Sequence, residues 1–474
     1  MQQKIKHKSI YFYLAVLAVF LGICSPHLFT HGMFLDGVTY AAIAKNMALG
    51  KGSFWILHYT DTLHYPVFYE QPPLALWIQS VFFRIFGTGI FVERFYSVFT
   101  LILTGFLMIK IWKEIVSETV TAWFPLLLFI LFPIITWTAT NNLLENTMMI
   151  FICCSVFFYL KGTRNKKYYF TILSGLSLFA GVLCKGIVAC FPLTIPFWIW
   201  LFFKKISFKQ VLQDTLILVI CTLLPLILLY VSSVKARFFF DNYLSNQLFA
   251  SVTGLRETAE SRFFILKSLL ENSIICLVLT AGICIVQIVK KRTILMKEQI
   301  SNSLLFLSLS LCGILPVLLS LKQSGFYIIP AYPFLAIAFA LPLQPFIKGF
   351  MEKINSASKG FFVFKTLICI LLASSVLFSF SQKGKIERDK KELQLVFECG
   401  KYISPNTTIN IDKEIYHEYY LHAYFARYKN ISLDANADNR HLFYLHNQDF
   451  PLPSLEDEYV PLTEIDNFIL LKKK

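Results

Sequence analysis

Charge is what this sequence has least of. Asp, Glu, Lys and Arg together make up 15% of the 474 residues, where soluble domains carry roughly a quarter, and that scarcity excludes a soluble enzyme. Acidic residues are the rarer sign, 29 against 44 Lys and Arg. A net charge of +15 in a soluble chain would raise nucleic-acid binding. Here the cations sit in short clusters between apolar blocks, as in retained cytoplasmic loops, so no nucleic-acid partner is expected. A disulfide framework is also missing: the eleven cysteines are an odd number, and all but Cys399 fall in or beside apolar stretches. There is no internal repeat and no low-complexity segment. No small-residue cleavage site follows the apolar run from Ile10 to about Cys24, so an uncleaved first span is expected.

What is present is hydrophobic residue, 56% of the chain with 48 Phe, in blocks close to the length that crosses roughly 30 Å of hydrocarbon. The blocks predict about eleven spans, near 10–30, 92–111, 119–138, 146–160, 169–184, 187–203, 211–231, 272–289, 301–320, 327–346 and 362–380. With the basic N-terminus inside, every inner loop is basic: Lys110/Lys113, Lys161/Arg164/Lys166/Lys167, Lys204/Lys205/Lys209, Lys290/Lys291/Arg292/Lys297 and Lys348/Lys353/Lys359. The expectation is therefore a multi-pass inner-membrane protein, N-terminus cytoplasmic and tail periplasmic. Residues 1–380 would form the membrane domain and 381–474 an extracytoplasmic domain. The outer loop 232–271 goes against the bias with Lys235, Arg237, Arg256, Arg262 and Lys267.

Two outer segments are too long to be simple connections. In 31–91, Asp36 can cap a helix over Gly37–Leu49 that stops at Gly50, and a second helix starts at Pro72-Pro73 and stops at Gly87. Both are expected to lie at the interface. From Ser381 the composition turns polar, and alternating stretches at Thr407–Asp412, Asn430–Leu433 and His441–Leu445 predict a small α/β unit. Asp36, Glu70, Glu145, Lys185 and Lys322 all approach the outer surface. Ionisable groups there are costly unless they face water or a partner. Carboxylates and amines gathered in one cleft suit a substrate with its tail in the bilayer and a phosphorylated head at the surface.

Four stretches carry a family resemblance: FLDGVTYAAIAKNMALGKG at 34–52, FYEQPPLALWIQSVFFRIFG at 68–87 followed by Glu93-Arg94, GLSLFAGVLCKGIVACFPLTIP at 175–196, and LKQSGFYIIPAYPFLAI at 321–337. They resemble the GT-C membrane glycosyltransferases that use polyprenyl-phosphate sugars, namely protein O-mannosyltransferases and lipid A aminoarabinose transferases. The resemblance implies a helical polytopic GT-C fold and Asp36 as the catalytic carboxylate. An Asp there takes the acceptor's proton or stabilises positive charge on the sugar; the alternative is a helix cap alone. Tyr40, Glu70, Gln71 and Glu145 would line the sugar and acceptor, while Lys185 and Lys322, with Tyr327 beyond, would grip the lipid phosphate. Arg256 and Arg262 would close over the site.

Glu70 and His64 are the candidates for a divalent ion, with His58 and Asp61 nearby, although their spacing matches no ligand signature. No other cofactor is implied. The chain departs from the aminoarabinose transferases at Gln71, where they carry Lys, and over Gly37–Tyr40, where Tyr40 alone persists, so the sugar stays open. The implied partners are a polyprenyl-phosphate-linked sugar, a lipid or protein acceptor, and membrane lipids. The rival class is a secondary transporter or lipid flippase. Such proteins tend to place charges at mid-membrane and to show repeated halves, whereas here the charges collect at one face.

Overall fold

The computed structural model describes residues 2–62, 67–249, 261–289, 297–436, 438–451 and 458–474. The expected loop cations Lys290, Lys291 and Arg292 lie outside them. Among the described residues nine helices are long and apolar enough to cross a membrane. The chain enters through α1 (Gln2–Cys24), lays down α2 (Leu35–Ala48) and α3 (Leu74–Phe86), and returns through α4 (Val92–Val116). The block expected as one span at 119–138 is broken into α5 (Trp123–Ile130) and α6 (Pro133–Asn141), bent by 74°. Pro133 opens α6, and a proline both lacks the N–H and pushes the residue before it out of helical geometry. Next come α7 (Leu144–Asn165) and α8 (Tyr168–Lys185), an antiparallel pair whose mid-height contact is the Ser155 and Ser174 hydroxyls 2.8 Å apart. Small residues at that contact let the two backbones approach closely. The expected span at 187–203 is a 3-10 segment, Ile187–Thr194, running into a short helix, Ile195–Phe203.

Burial ranks the remaining spans. Gly325–Lys353 is 78% buried and forms the centre, whereas Phe208–Ser232 and Phe264–Gln287 are 11% buried and present apolar side chains outward, as lipid-facing helices must.

The polar tail folds as expected, with more strands than the alternation announced. Strands β1 (Thr408–Ile411), β2 (Ser432–Asp434), β3 (Phe443–Asn447), β4 (Tyr459–Ile465) and β5 (Phe468–Lys473) form a sheet in the order β2-β1-β3-β5-β4. β1 is parallel to β2 and β3, while β5 runs antiparallel to β3 and β4. Leu393 and Val396 of the helix Lys390–Tyr402 pack with Ile409, Leu433, Leu445 and Leu470 under the sheet. This core does not close on itself, because Met33 and Val38 from the segment between α1 and α4 belong to it.

Two polar clamps fasten the tail to the bundle. Arg427, 2% exposed, reaches Glu93 at the start of α4 at 2.6 and 3.1 Å and donates to the Thr88 and Gly89 carbonyls. Lys45 of α2 donates to the carbonyls of Ala426 and Arg427 at 2.7 and 2.6 Å. Burial, with the Arg427 charge beside it, brings the Lys45 amine down to about 6, and two N–H bonds are as many as a neutral amine can donate.

Removing one partner of a pair this buried strands the other charge. Arg427→Met is expected to cost about 3–5 kcal/mol, read as a lower unfolding midpoint in detergent with the tail made protease-sensitive. A second expectation concerns acid. His422 lies 2.8 Å through Nε2 from the Tyr416 carbonyl, its Nδ1 is buried without a hydrogen-bond partner among the described residues, and burial pushes the ring down to about 4. Between pH 6.5 and 4 the unfolded chain therefore takes up a proton that the folded chain refuses. Stability is full above 6.5 and declines as pH falls, by about 3 kcal/mol at pH 4. Melting curves from pH 7 to 4 should show this slope, and His422→Phe should flatten it.

Candidate active site

The site is built at one end of the bundle, where α2 begins, α6 ends, α7 begins and α8 ends. The helix carrying Asp36 starts at Leu35, so Phe34 is its capping residue and Asp36 falls in the first turn with no side-chain cap bond. The expectation of Asp36 as the cap is corrected by a distant partner: Asn141 at the end of α6 accepts the Phe34 N–H at 2.8 Å. Asn142 follows in the left-handed region (φ 50°). Its amide donates to the Gly37 carbonyl at 2.9 Å and accepts from Gln79 of α3 at 2.8 Å. One turn between α6 and α7 thus holds α2 and α3 in place, with α7 starting two residues later.

Gly37 is needed for the approach. A Cβ there would stand 2.0 Å from the Asn141 carbonyl oxygen.

Tyr40 lies four residues after Asp36 on the same face of α2, 3% exposed. Burial pushes its phenol up, and Asp36, Glu145, Glu70 and Tyr327 add to that push in descending order. Four of the expected site residues therefore converge electrostatically on a fifth. Glu145, in the first turn of α7, pairs with Lys185 at the end of α8; the two side chains are 0% and 8% exposed. The other Glu145 oxygen, Oε2, is buried with no hydrogen-bond partner among the described residues. The Lys185 ammonium sits 5.2 and 5.5 Å from the Phe326 and Tyr327 ring centres, within cation–π range. Phe34, Trp137 and Phe326 pack together as the wall between Lys185 and the start of α2.

Other expected residues are placed less centrally. Glu70 is exposed and Gln71 half-buried, just ahead of the proline pair that precedes α3. Lys322 is half-buried in the turn leading to the 3-10 segment Gly325–Ala331 that carries Tyr327, and Arg262 is exposed. The two segments are joined by Gln323, which donates to the Arg262 carbonyl and accepts from the Ile265 N–H, each at 3.1 Å. Among the described residues no contact brings either cationic head to the Glu145–Lys185 pair. Arg256 and His64 lie outside the described residues.

His58 and Asp61 pair with each other at 3.0 Å, and the Ser432 hydroxyl of β2 donates to Asp61 at 3.0 Å. Their contacts dock the first outer segment on the sheet. Among the described residues no group of three or more His, Cys, Asp or Glu is placed to hold a metal ion.

Chemically this is an acidic cleft with one central ammonium. Its carboxylates can hold hydroxyls or a cation, and Lys185 can meet an anion only by sharing or leaving Glu145. Sequence reasoning missed Asn141, Asn142, Gln79 and Phe326. The Asn-Asn pair between apolar blocks was the readable signal, since Asn tolerates the left-handed turn.

The same arrangement of helices exists in a solved protein. The structure superposes on ArnT from Cupriavidus metallidurans bound to undecaprenyl phosphate with TM-score 0.64, covering 97% of both chains at 14% identity. The apo form of that protein gives the same score. The chain has the GT-C fold of ArnT.

At the sequence level the likeness is narrower. The family model described as dolichyl-phosphate-mannose-protein mannosyltransferase matches residues 70–233, which holds Glu70, Glu145 and Lys185 but not Asp36. The undecaprenyl phosphate-alpha-4-amino-4-deoxy-L-arabinose arabinosyl transferase of Wigglesworthia glossinidia brevipalpis is 26% identical over 179 residues, 37% of this chain and 31% of that protein. Its counterpart 1 from Proteus mirabilis is 24% identical over 188 residues, 39% and 33% of the two chains. The matched stretch thus spans about a third of the length of these curated relatives.

Gly37→Ala should push the start of α2 away from the end of α6 without touching a charge. The expected outcome is a stably inserted protein in which Asp36 no longer faces Glu145, with a loss of about 1–3 kcal/mol, the scale of core overpacking. Thermal unfolding in detergent would show it, and an unchanged midpoint would rule the close approach out.

Proposed function

We propose that the chain is a membrane glycosyltransferase that moves a sugar from a polyprenyl-phosphate donor to a lipid or protein acceptor at the outer face of the inner membrane. The observation that carries this reading is the buried Glu145–Lys185 pair beside the Phe326 and Tyr327 rings, at the end of the bundle where the helix bearing Asp36 begins. The ArnT fold and the undecaprenyl phosphate named with it support the donor class.

The acceptor oxygen attacks the anomeric carbon, the bond from that carbon to the phosphate oxygen breaks, and polyprenyl phosphate leaves with the electron pair. A single displacement inverts the anomeric centre. Asp36 takes the proton when the acceptor is a hydroxyl; when it is an ionised phosphate, Asp36 stabilises positive charge on the sugar. Lys185 neutralises the departing phosphate, exchanging part of its bond to Glu145 for it. Lys322 and Arg262 supply further positive charge as their segments close.

The relatives' names carry aminoarabinose, whose protonated amine suits the Asp36 carboxylate, and so a pentosyl transfer is the reading for the sugar. Basic loops at the ends of the helices opposite Asp36 support a cytoplasmic N-terminus and a periplasmic tail.

The test is turnover by purified protein in lipid nanodiscs with labelled undecaprenyl-phosphate sugars. Wild type should release undecaprenyl phosphate. Asp36→Asn should lower kcat by about 10²–10⁴-fold with donor binding retained, and Lys185→Met should weaken donor binding as well. Release by Asp36→Asn at the wild-type rate, or no release from any donor, would overturn the assignment.

A further inference from the structure

A second polar site lies at the far end of the same helices. A cavity of about 820 Å³ opens where α4 and α7 end and α8 begins. The 22 residues of α7 put it about 30 Å from Glu145, at the opposite membrane surface. Tyr168 and Tyr169, 58% and 50% exposed, flank it, in the manner of an interfacial aromatic belt.

Its charges are arranged in depth. Arg164, Lys166, Lys167 and Lys205 line it with exposed side chains, and Arg164 is partly taken up by Glu114 at 3.3 Å. Deeper in the wall is Asp214 of the helix Phe208–Ser232, only 3% exposed. The Tyr159 hydroxyl donates to its Oδ2 at 2.8 Å, and the Gln210 side chain one turn earlier also interacts with the carboxylate, but Oδ1 is buried with no hydrogen bond of good geometry among the described residues. Glu298 contributes a further carboxylate to the wall. An acceptor buried without a donor is costly, and lysines in a row at a membrane surface attract phosphate. One ligand answers both needs if its phosphate stays at the mouth and a donor-bearing cation reaches inward.

We propose that this cavity seats the headgroup of an aminophospholipid, its phosphate on Lys166, Lys167 and Lys205 and its primary ammonium on Asp214. A phosphocholine headgroup has the same charges but no N–H to give Asp214, and phosphoglycerol lacks the cation. The site therefore discriminates among headgroups through one carboxylate. It stands apart from glycosyl transfer, since no residue is shared with the Asp36 cleft.

The experiment is native mass spectrometry of the full chain released from nanodiscs of equimolar phosphatidylethanolamine, phosphatidylcholine and phosphatidylglycerol. Wild type is expected to retain phosphatidylethanolamine about tenfold over phosphatidylcholine, the scale of one charge-assisted hydrogen bond. Asp214→Asn should erase that preference. Lys166→Ser with Lys167→Ser, both at exposed positions, should lower retention of phosphatidylethanolamine and leave the fold intact. Tyr159→Phe removes the hydroxyl that donates to Asp214 and should keep the preference, which separates headgroup recognition from a structural role. Equal retention of the three lipids by wild type, a preference for phosphatidylglycerol, or an undiminished preference in Asp214→Asn would each overturn the proposal.

Discussion

The bond between Glu145 and Lys185 is the constraint from which the rest of the bundle can be read. A carboxylate and an ammonium withdrawn from water each carry a penalty of several kcal/mol that only close pairing offsets. The start of α7 and the end of α8 must therefore stand at the same depth. That condition sets the register of the helix pair, with the Ser155–Ser174 contact at mid-height following from it. It also makes the site a place where charge can be exchanged and not merely stored. An anion arriving there would have to share the ammonium with Glu145 or displace it, and with Lys185 already desolvated beside the Phe326 and Tyr327 rings that exchange would be the costly step.

Around that pair the fold spends polar contacts on position. Asn141 and Asn142 link α2, α3 and α6 through three side-chain bonds, and Arg427 and Lys45 bind the tail to the helices that border the cleft. None of these residues needs to touch a substrate. Their common effect is to remove rotational freedom from α2, so that Asp36 faces the carboxylates opposite without depending on a cap of its own.

Much of the architecture was legible because the membrane restricts what a chain can do. Blocks of sufficient length become helices, and the prolines at 72–73 and Gly87 bound α3 where the residues suggested. Three strands announced themselves by alternation. The hairpin β4–β5 did not, because Pro461 sits inside β4; an edge strand with a bulge between Pro461 and Thr463 accommodates it. The expected span at 119–138 is bent by 74° where Pro133 opens α6, a break that hydropathy alone does not mark. That Asp36, Glu70, Glu145 and Lys185 gather at one end of the bundle was legible from their place along the spans, and Tyr327 beside them from the family resemblance. The cap by Asn141 and the Arg427–Glu93 pair were not, since partners 107 and 334 residues apart leave no trace in local pattern.

Lys45 binds carbonyls that lie 381 and 382 residues downstream, and Val38 completes a core made almost wholly from the chain's last segment. Chains are made from the N-terminus onward, so the helix bearing Asp36 emerges about 380 residues before the carbonyls that immobilise it. Until Ala426 and Arg427 have been made, α2 lacks this clamp. Assembly of the tail is thus a checkpoint in biogenesis, and a ribosome that stalls before that point leaves an inserted bundle whose cleft was never set.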